Sequence, residues 1–226
     1  MIYVTVPGDT VSSISRQSGV PVWKIIYDNQ LGEEGKLTVG QALLLLKPQE
    51  SAEIREDLYV TGYAYPFIEP YVLEMAFPAL NELLVFSYGF TFEGELVPPI
   101  QDETWMIQLA WENGIEPMLV LTPFTQGVFN NQLIQTLVEE ESVRENVITN
   151  LLKVVEEKGY VGVDVDFEYV RAQNREGYAE FVGELRAAMN EKGYRVSVAL
   201  APKTSSDQKG LLYEGIDYAL LSRRPS

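Results

Sequence analysis

Over residues 1–48 the spacing of apolar positions changes from two to three or four and back to two. Ile2 to Val6 alternate as a short strand. Pro7-Gly8-Asp9-Thr10 is a turn, and Asp9 or Thr10 suits the N-cap of a helix. Val11 to Gln17 form that helix, ended by Ser18-Gly19. Val22 to Asn29 form a second, with Trp23, Ile26 and Tyr27 at helical spacing. After Gly35, Leu37 to Leu45 return to a strand. The pattern predicts a compact βααβ unit over 1–48 and a polar linker over 49–57.

From residue 58 onward strands alternate with helices. Strands are predicted at 58–65, 83–90, 116–122, 162–169 and 195–201, with helices among the segments between them at 104–113, 141–158 and 175–192. Each of these helices runs into a glycine (Gly114, Gly159, Gly193) before the next strand, as a helix stop requires. Repeated strand–helix units predict an α/β fold with a parallel sheet and right-handed crossovers, either open and doubly wound or closed as a barrel. No glycine-rich phosphate loop follows the first strand, which argues against a nucleotide ligand.

The fourth strand departs from its neighbours. In Tyr160-Val161-Gly162-Val163-Asp164-Val165-Asp166-Phe167-Glu168 three acids take every second position. Strand side chains alternate faces, so Val163, Val165 and Phe167 cover one face while the acids share the other, about 6.6–7 Å apart. The stretch is too apolar for a wet edge strand and fits a parallel sheet buried on both sides. Carboxylates on the inner face of such a strand are costly unless paired, and crowding them raises at least one pKa. That keeps a carboxylic acid protonated near neutral pH for general-acid work. Alternating acids also suit a hard divalent cation.

Composition narrows the chemistry. The 226 residues, 46% apolar, are enough for a sizeable core and two units. The net charge of −16 disfavours nucleic acid and anionic membrane as partners and leaves a neutral polymer such as a glycan. Cysteine and histidine are both absent. Disulfides and the usual zinc sites are therefore excluded, and acid–base work falls to carboxylates, Tyr or Lys. The N-terminus shows no basic region followed by an apolar one, so no signal peptide is recognised. Residues 37–46 are too short and too polar to span a bilayer.

Two stretches resemble known families. Tyr3-Val4-Thr5-Val6-Pro7-Gly8-Asp9-Thr10, Ile14, Gly19-Val20, Ile25, Asn29-Gln30-Leu31 and Leu37 to Leu43 resemble a LysM module along its whole length. The resemblance implies binding of peptidoglycan or chitin-type glycans in a groove between Gly8-Asp9-Thr10 and Asn29-Gln30-Leu31. The acidic strand is similar to the Asp-x-x-Asp-x-Asp-x-Glu signature of glycoside hydrolase family 18. Asp164, Asp166 and Glu168 match it, and Val161 stands where the first Asp would be. The likeness runs from about Leu58 to Tyr218, through Leu58–Pro66, Ser87-Tyr88-Gly89-Phe90 and Ala201–Gly210, and is nearest to the LysM-bearing spore cortex-lytic branch of that family.

The second resemblance implies an eight-stranded TIM-type barrel, of which 58–226 supplies the first five strands and is C-terminally incomplete. It also implies retaining hydrolysis assisted by the substrate's own N-acetyl group. In that scheme Glu168 is general acid and then base, Asp166 orients the acetamide, and Asp164 hydrogen-bonds Asp166 and shares its proton. Tyr63 and Tyr169 line the sugar subsite. No cofactor and no metal are implied, and association with spore coat, cortex or cell wall is. The alternative is a glycan-binding pseudoenzyme that keeps the fold without turnover.

Overall fold

The computed structural model describes residues 1–32, 35–47, 58–125 and 127–222. The chain divides into two units, Met1–Leu58 and Tyr59–Ser226. The linker expected over 49–57 lies outside the described residues. Among the described residues no helix is long and apolar enough to cross a membrane.

In the first unit β1 (Ile2–Val4) pairs antiparallel with β2 (Ala42–Leu44), and α1 (Val11–Ser18) and α2 (Val22–Asp28) lie between them in the chain. Thr10, not Asp9, caps α1. Its Oγ1 accepts from the Ser13 amide at 3.0 Å while the Ser13 hydroxyl accepts from the Thr10 amide at 2.9 Å, a reciprocal capping box. Asp9 instead accepts from the Tyr3 hydroxyl and the Val6 amide, both at 2.8 Å, and so fixes the turn. Val11, Ile14, Val20, Ile25, Leu31, Leu43 and Leu45 form the core. The second strand is shorter than the expected 37–45. The Thr38 amide donates to the Gln41 side chain at 3.0 Å and Gly40 takes φ +85°, so this stretch is a turn that reaches the ladder only at Ala42.

The second unit opens with β3 (Thr61–Ala64), α3 (Pro70–Ala76), β4 (Glu82–Phe90), the short β5 (Leu96–Val97), α4 (Thr104–Glu112) and β6 (Glu116–Leu121). A hairpin of β7 (Phe124–Thr125) and β8 (Val128–Phe129) follows, then α5 (Gln132–Glu139), α6 (Glu141–Lys158) and β9 (Gly162–Val165). The unit continues with α7 (Arg175–Glu191), β10 (Arg195–Val198) and α8 (Tyr218–Leu221). The main sheet runs β10-β9-β6-β4-β3, with every neighbouring pair parallel. Strand order follows chain order without reversal. An open doubly wound sheet reverses at a switch point, whereas a barrel winds one way, so the choice left open by the sequence falls to barrel-type winding.

Each strand faces two environments. Leu83, Val85, Leu119, Leu121, Val163 and Val165 point outward into the main core, with Ala110, Leu151, Val155, Phe181 and Leu185 of the helices. Burying an aliphatic side chain of this size contributes about 1.5–3 kcal/mol. The alternate positions face inward, where Leu84, Met118 and Val120 form a smaller cluster with Phe86 and Val161. Below them, at the strand starts, lies an ionic layer. The Arg195 guanidinium donates to Glu116 at 2.7 Å and to Glu82 at 2.9 Å, although β10 borders neither β6 nor β4. Gly162 of the intervening β9 has no side chain to block that reach, and a Cβ there would lie 2.0 Å from the Arg195 carbonyl oxygen.

Candidate active site

β9 ends at Val165, four residues short of the expected Tyr169. The Asp166 amide still donates to the Leu121 carbonyl at 2.9 Å, after which the chain leaves the ladder. Glu168 is therefore on the loop at the carboxyl end of the strand. Phe167 holds that loop down. It is buried in the main core and stacks near Phe90, Tyr178 and Phe181, with ring centroids 5.9, 5.7 and 5.9 Å away. The acids on either side are thereby kept off the outer face. Asp164 is 3% exposed, Asp166 is partly buried and Glu168 is exposed.

Asp164 does not bond Asp166. Its Oδ2 accepts from the Tyr63 hydroxyl at 2.7 Å and its Oδ1 from the Ser197 hydroxyl at 2.5 Å. In place of the expected bond to Asp166, the partners of Asp164 are hydroxyls from other strands. Ser197 stands beside Asp164 in the β9–β10 register, and Tyr63 reaches in from β3. Burial and then the bond to Asp164 push the Tyr63 phenol far above its usual pKa, so it remains a donor. Asp166 is pushed up to about 6, first by burial, then by the negative charges of Asp164 and Glu168. The row thus combines an acid gripped by two hydroxyls, a carboxyl protonated at mildly acidic pH, and an acid open to solvent. Among the described residues no group of three acids is arranged to hold a metal ion.

An apolar cleft of about 290 Å³ lies next to this row, lined by Tyr65, Phe67, Phe86, Ile100, Phe124 and Phe129 together with three prolines. A chain of rings connects the two. Tyr63 meets Phe86 edge-on at 6.4 Å, Phe86 meets Tyr65 at 4.8 Å, and Tyr65 stacks on Phe67 at 4.9 Å.

Residues 127–222 match the family model for glycosyl hydrolases family 18, and residues 3–45 match that for the LysM domain. The chain thus resembles a LysM domain followed by a glycosyl hydrolase family 18 segment. It is 33% identical over 144 residues to the cortical fragment-lytic enzyme of Bacillus subtilis (strain 168), covering 63% of this chain and 33% of that protein. The crystal structure of the spore cortex-lytic enzyme SleL from Bacillus cereus superposes with a TM-score of 0.66 at 29% identity, over 97% of this chain and 50% of that one. The counterpart from Bacillus megaterium QM B1551 gives a TM-score of 0.67 at 26% identity, over 97% and 51%. The chain spans half or less of the length of the curated relatives named first among its matches.

Asp164, Asp166 and Glu168 are near enough for the first and last to act electrostatically on Asp166. Tyr63 joins them, but as a hydrogen-bond donor to Asp164. Tyr169 is next to Glu168, half exposed and at φ +58°, a left-handed conformation uncommon for a side-chain-bearing residue. Ser197 and the cleft aromatics are absent from the sequence reading. Tyr65 alternates with Tyr63 and carried a usable signal; Ser197 is visible only once the β9–β10 register is known.

In the LysM domain the expected groove residues differ in their surroundings. Asp9 and Thr10 line a depression with Ser12, Val22, Ile26, Lys36 and Leu37. Asn29 and Leu31 do not. The Asn29 amide nitrogen donates to the Ile25 and Leu44 carbonyls, both at 2.9 Å, its oxygen accepts from the Leu44 amide, and Leu31 is buried in the core. Gln30 sits exposed at φ +50° and Gly8 at φ +93°, both outside the depression's lining.

Proposed function

We propose that this chain hydrolyses N-acetylglucosamine-containing glycans of the peptidoglycan or chitin type, with retention of configuration, while its LysM domain holds it on the polymer. The observation that carries the reading is the graded row of acids at the carboxyl end of β9: Asp164 gripped by two hydroxyls, Asp166 raised to about 6, and Glu168 exposed. In a barrel of this winding, chemistry gathers at that end of the strands.

The roles follow from each environment. Glu168, open to the substrate side, gives its proton to the glycosidic oxygen as the bond to the leaving sugar breaks. The acetamide oxygen of the bound sugar attacks the anomeric carbon, so no enzyme carboxylate bonds to it. Asp166 orients the acetamide N–H and offsets the positive charge that develops on the closed ring. Water then enters, Glu168 takes its proton as base, and the two inversions give net retention. The aromatic cleft offers faces on which pyranose rings can stack. The names of the relatives, a cortical fragment-lytic enzyme and a spore cortex-lytic enzyme, support cortex peptidoglycan as the polymer and a spore or cell-wall setting.

The test is to incubate the chain with chitooligosaccharides and with cortex peptidoglycan fragments and to follow the anomeric protons by NMR. Cleavage giving the β-anomer first is expected. An α-anomer first would remove the retaining mechanism, and retention on insoluble polymer without any cleavage would leave a glycan-binding protein.

A further inference from the structure

We infer that Lys203 and Arg175 are positioning residues for Glu168: they hold the chain over 213–216 by its carbonyls, and that chain seats Val170, which anchors the far end of the loop carrying Glu168. The inference rests on the functional reading above for the role of Glu168, and on separate observations for everything else. Between β10 and α8, residues 199–217 form neither helix nor strand, so their carbonyls have no ladder to bond. Two cations take that place. A lysine ammonium has three donors, and that of Lys203 donates to the carbonyls of Ser206, Tyr213 and Ile216 at 3.2, 3.0 and 2.7 Å. Arg175, the first residue of α7, donates from Nε and Nη2 to the Glu214 carbonyl at 2.8 and 2.6 Å. The Arg175 guanidinium also stands 3.8 Å from the Asp217 carboxylate. The Tyr218 hydroxyl closes the loop at its base by donating to the Ala201 carbonyl at 2.5 Å.

The carbonyls of Tyr213, Glu214 and Ile216 are thereby held on either side of Gly215. That glycine is buried, and a Cβ on it would collide with the backbone carbonyl and the side chain of Val170. Backbone therefore lies directly on backbone, an approach that only glycine allows. Val170 is 2% exposed and sits two residues beyond Glu168. On the near side Phe167 is locked among its three ring partners. Glu168 and Tyr169 are all that lies between these two anchors. Tyr169 takes φ +58°, a conformation that a residue with a side chain keeps only where its surroundings impose it. With Val170 seated, Tyr169 cannot turn over to relieve that strain, and the exposed Glu168 keeps one direction. An acid held in this way meets the glycosidic oxygen in a single geometry. The bonds of Lys203 go to backbone carbonyls and not to Glu168, so its effect passes through Gly215 and Val170.

The experiment compares the full wild-type chain with Lys203→Met, Arg175→Lys and Gly215→Ala by two readouts, at a temperature where each is folded by circular dichroism. Lys203→Met keeps a long unbranched stem and loses the three donors. Arg175→Lys keeps the charge and loses the paired grip on one carbonyl. Gly215→Ala leaves both cations and drives a methyl group into the seat of Val170. The first readout is amide hydrogen exchange over residues 166–170, which needs no turnover. Exchange there should quicken by about tenfold in each variant, as expected of a segment released to open locally. The second is kcat and KM on a defined N-acetylglucosamine oligomer. A displaced acid should lower kcat by about 10–10². KM should stay at the wild-type value, because the cleft aromatics belong to other elements. Should one variant fail to fold, the other two carry the same expectation. Folded variants whose exchange over 166–170 is unchanged overturn the inference, and so does quickened exchange with kcat at the wild-type value. Where exchange quickens but the wild type itself cleaves no oligomer, the seat of Val170 stands and the functional reading fails.

Discussion

The five parallel strands present two unlike faces. Outward, Leu83, Val85, Leu119, Leu121, Val163 and Val165 make an uninterrupted apolar layer against the helices. Inward, the same strands carry an ionic layer at their starts, a small apolar cluster with Asp164 in the middle, and Asp166 with the aromatic rings at their ends. The outer face selects on volume and apolarity alone, so its members are interchangeable in kind. The inner face selects on which atom meets which, because each buried polar group there needs a specific partner. Stability and chemistry are thus separated by a half-period of two along one chain.

The largest effect on folding should come from the outer face. Leu119→Ala removes a fully buried side chain from the middle of the sheet and should lower unfolding free energy by about 2–5 kcal/mol in a denaturant titration. Asp164→Asn, one strand over on the inner face, should change it by about 1 kcal/mol or less, since the amide keeps an acceptor and sheds a buried charge. Equal costs would erase the distinction between the faces.

The ionic layer sharpens it next. Arg195→Met leaves Glu82 buried without its cation, at a cost of about 1–3 kcal/mol, discounted because Arg195 itself is nearly half exposed. Burial already holds the Glu82 carboxyl above its usual range. Without Arg195 it protonates more readily, so the variant should lose less stability at pH 4 than at pH 7. A pH-independent loss would mean that Arg195 acts through packing.

The smallest effect is the pH dependence set by Asp166. Its folded pKa of about 6 exceeds the ordinary aspartate value. The folded state therefore binds the proton more tightly, and its contribution is fully present below about pH 4 and lost as pH rises through 6. Relative to Asp166→Asn, the wild type should weaken by about 1 kcal/mol or less between those limits in paired thermal melts, discounted because Asp166 is only partly buried. A wild type that gains stability over this window, relative to the variant, would place Asp166 in a solvated or cation-paired site.

This division also explains what could be seen in the sequence. The helix over 141–158 is found at its expected bounds because periodicity and the Gly159 stop agree, and Gly159 takes φ +79° at the cap. The short helices Pro70–Ala76 and Gln132–Glu139 carried too few turns to be predicted. The acids were legible because alternation is a local signal. Ser197 was not, since its role depends on lateral register, and neither was the displacement of Asn29 into backbone bonding, which depends on where Leu44 returns. Barrel winding, too, is a property of strand order and not of any one strand.

The claim at the centre of the account is that Glu168 performs the acid–base step from an otherwise intact inner face. The direct measurement compares Glu168→Gln with the wild type for turnover on a defined N-acetylglucosamine oligomer and for retention on insoluble peptidoglycan. Glu168 is exposed, so the substitution should leave thermal stability and polymer binding unchanged. Turnover should fall by about 10²–10⁴. A Glu168→Gln chain that still cleaves the oligomer at near the wild-type rate would contradict the assignment.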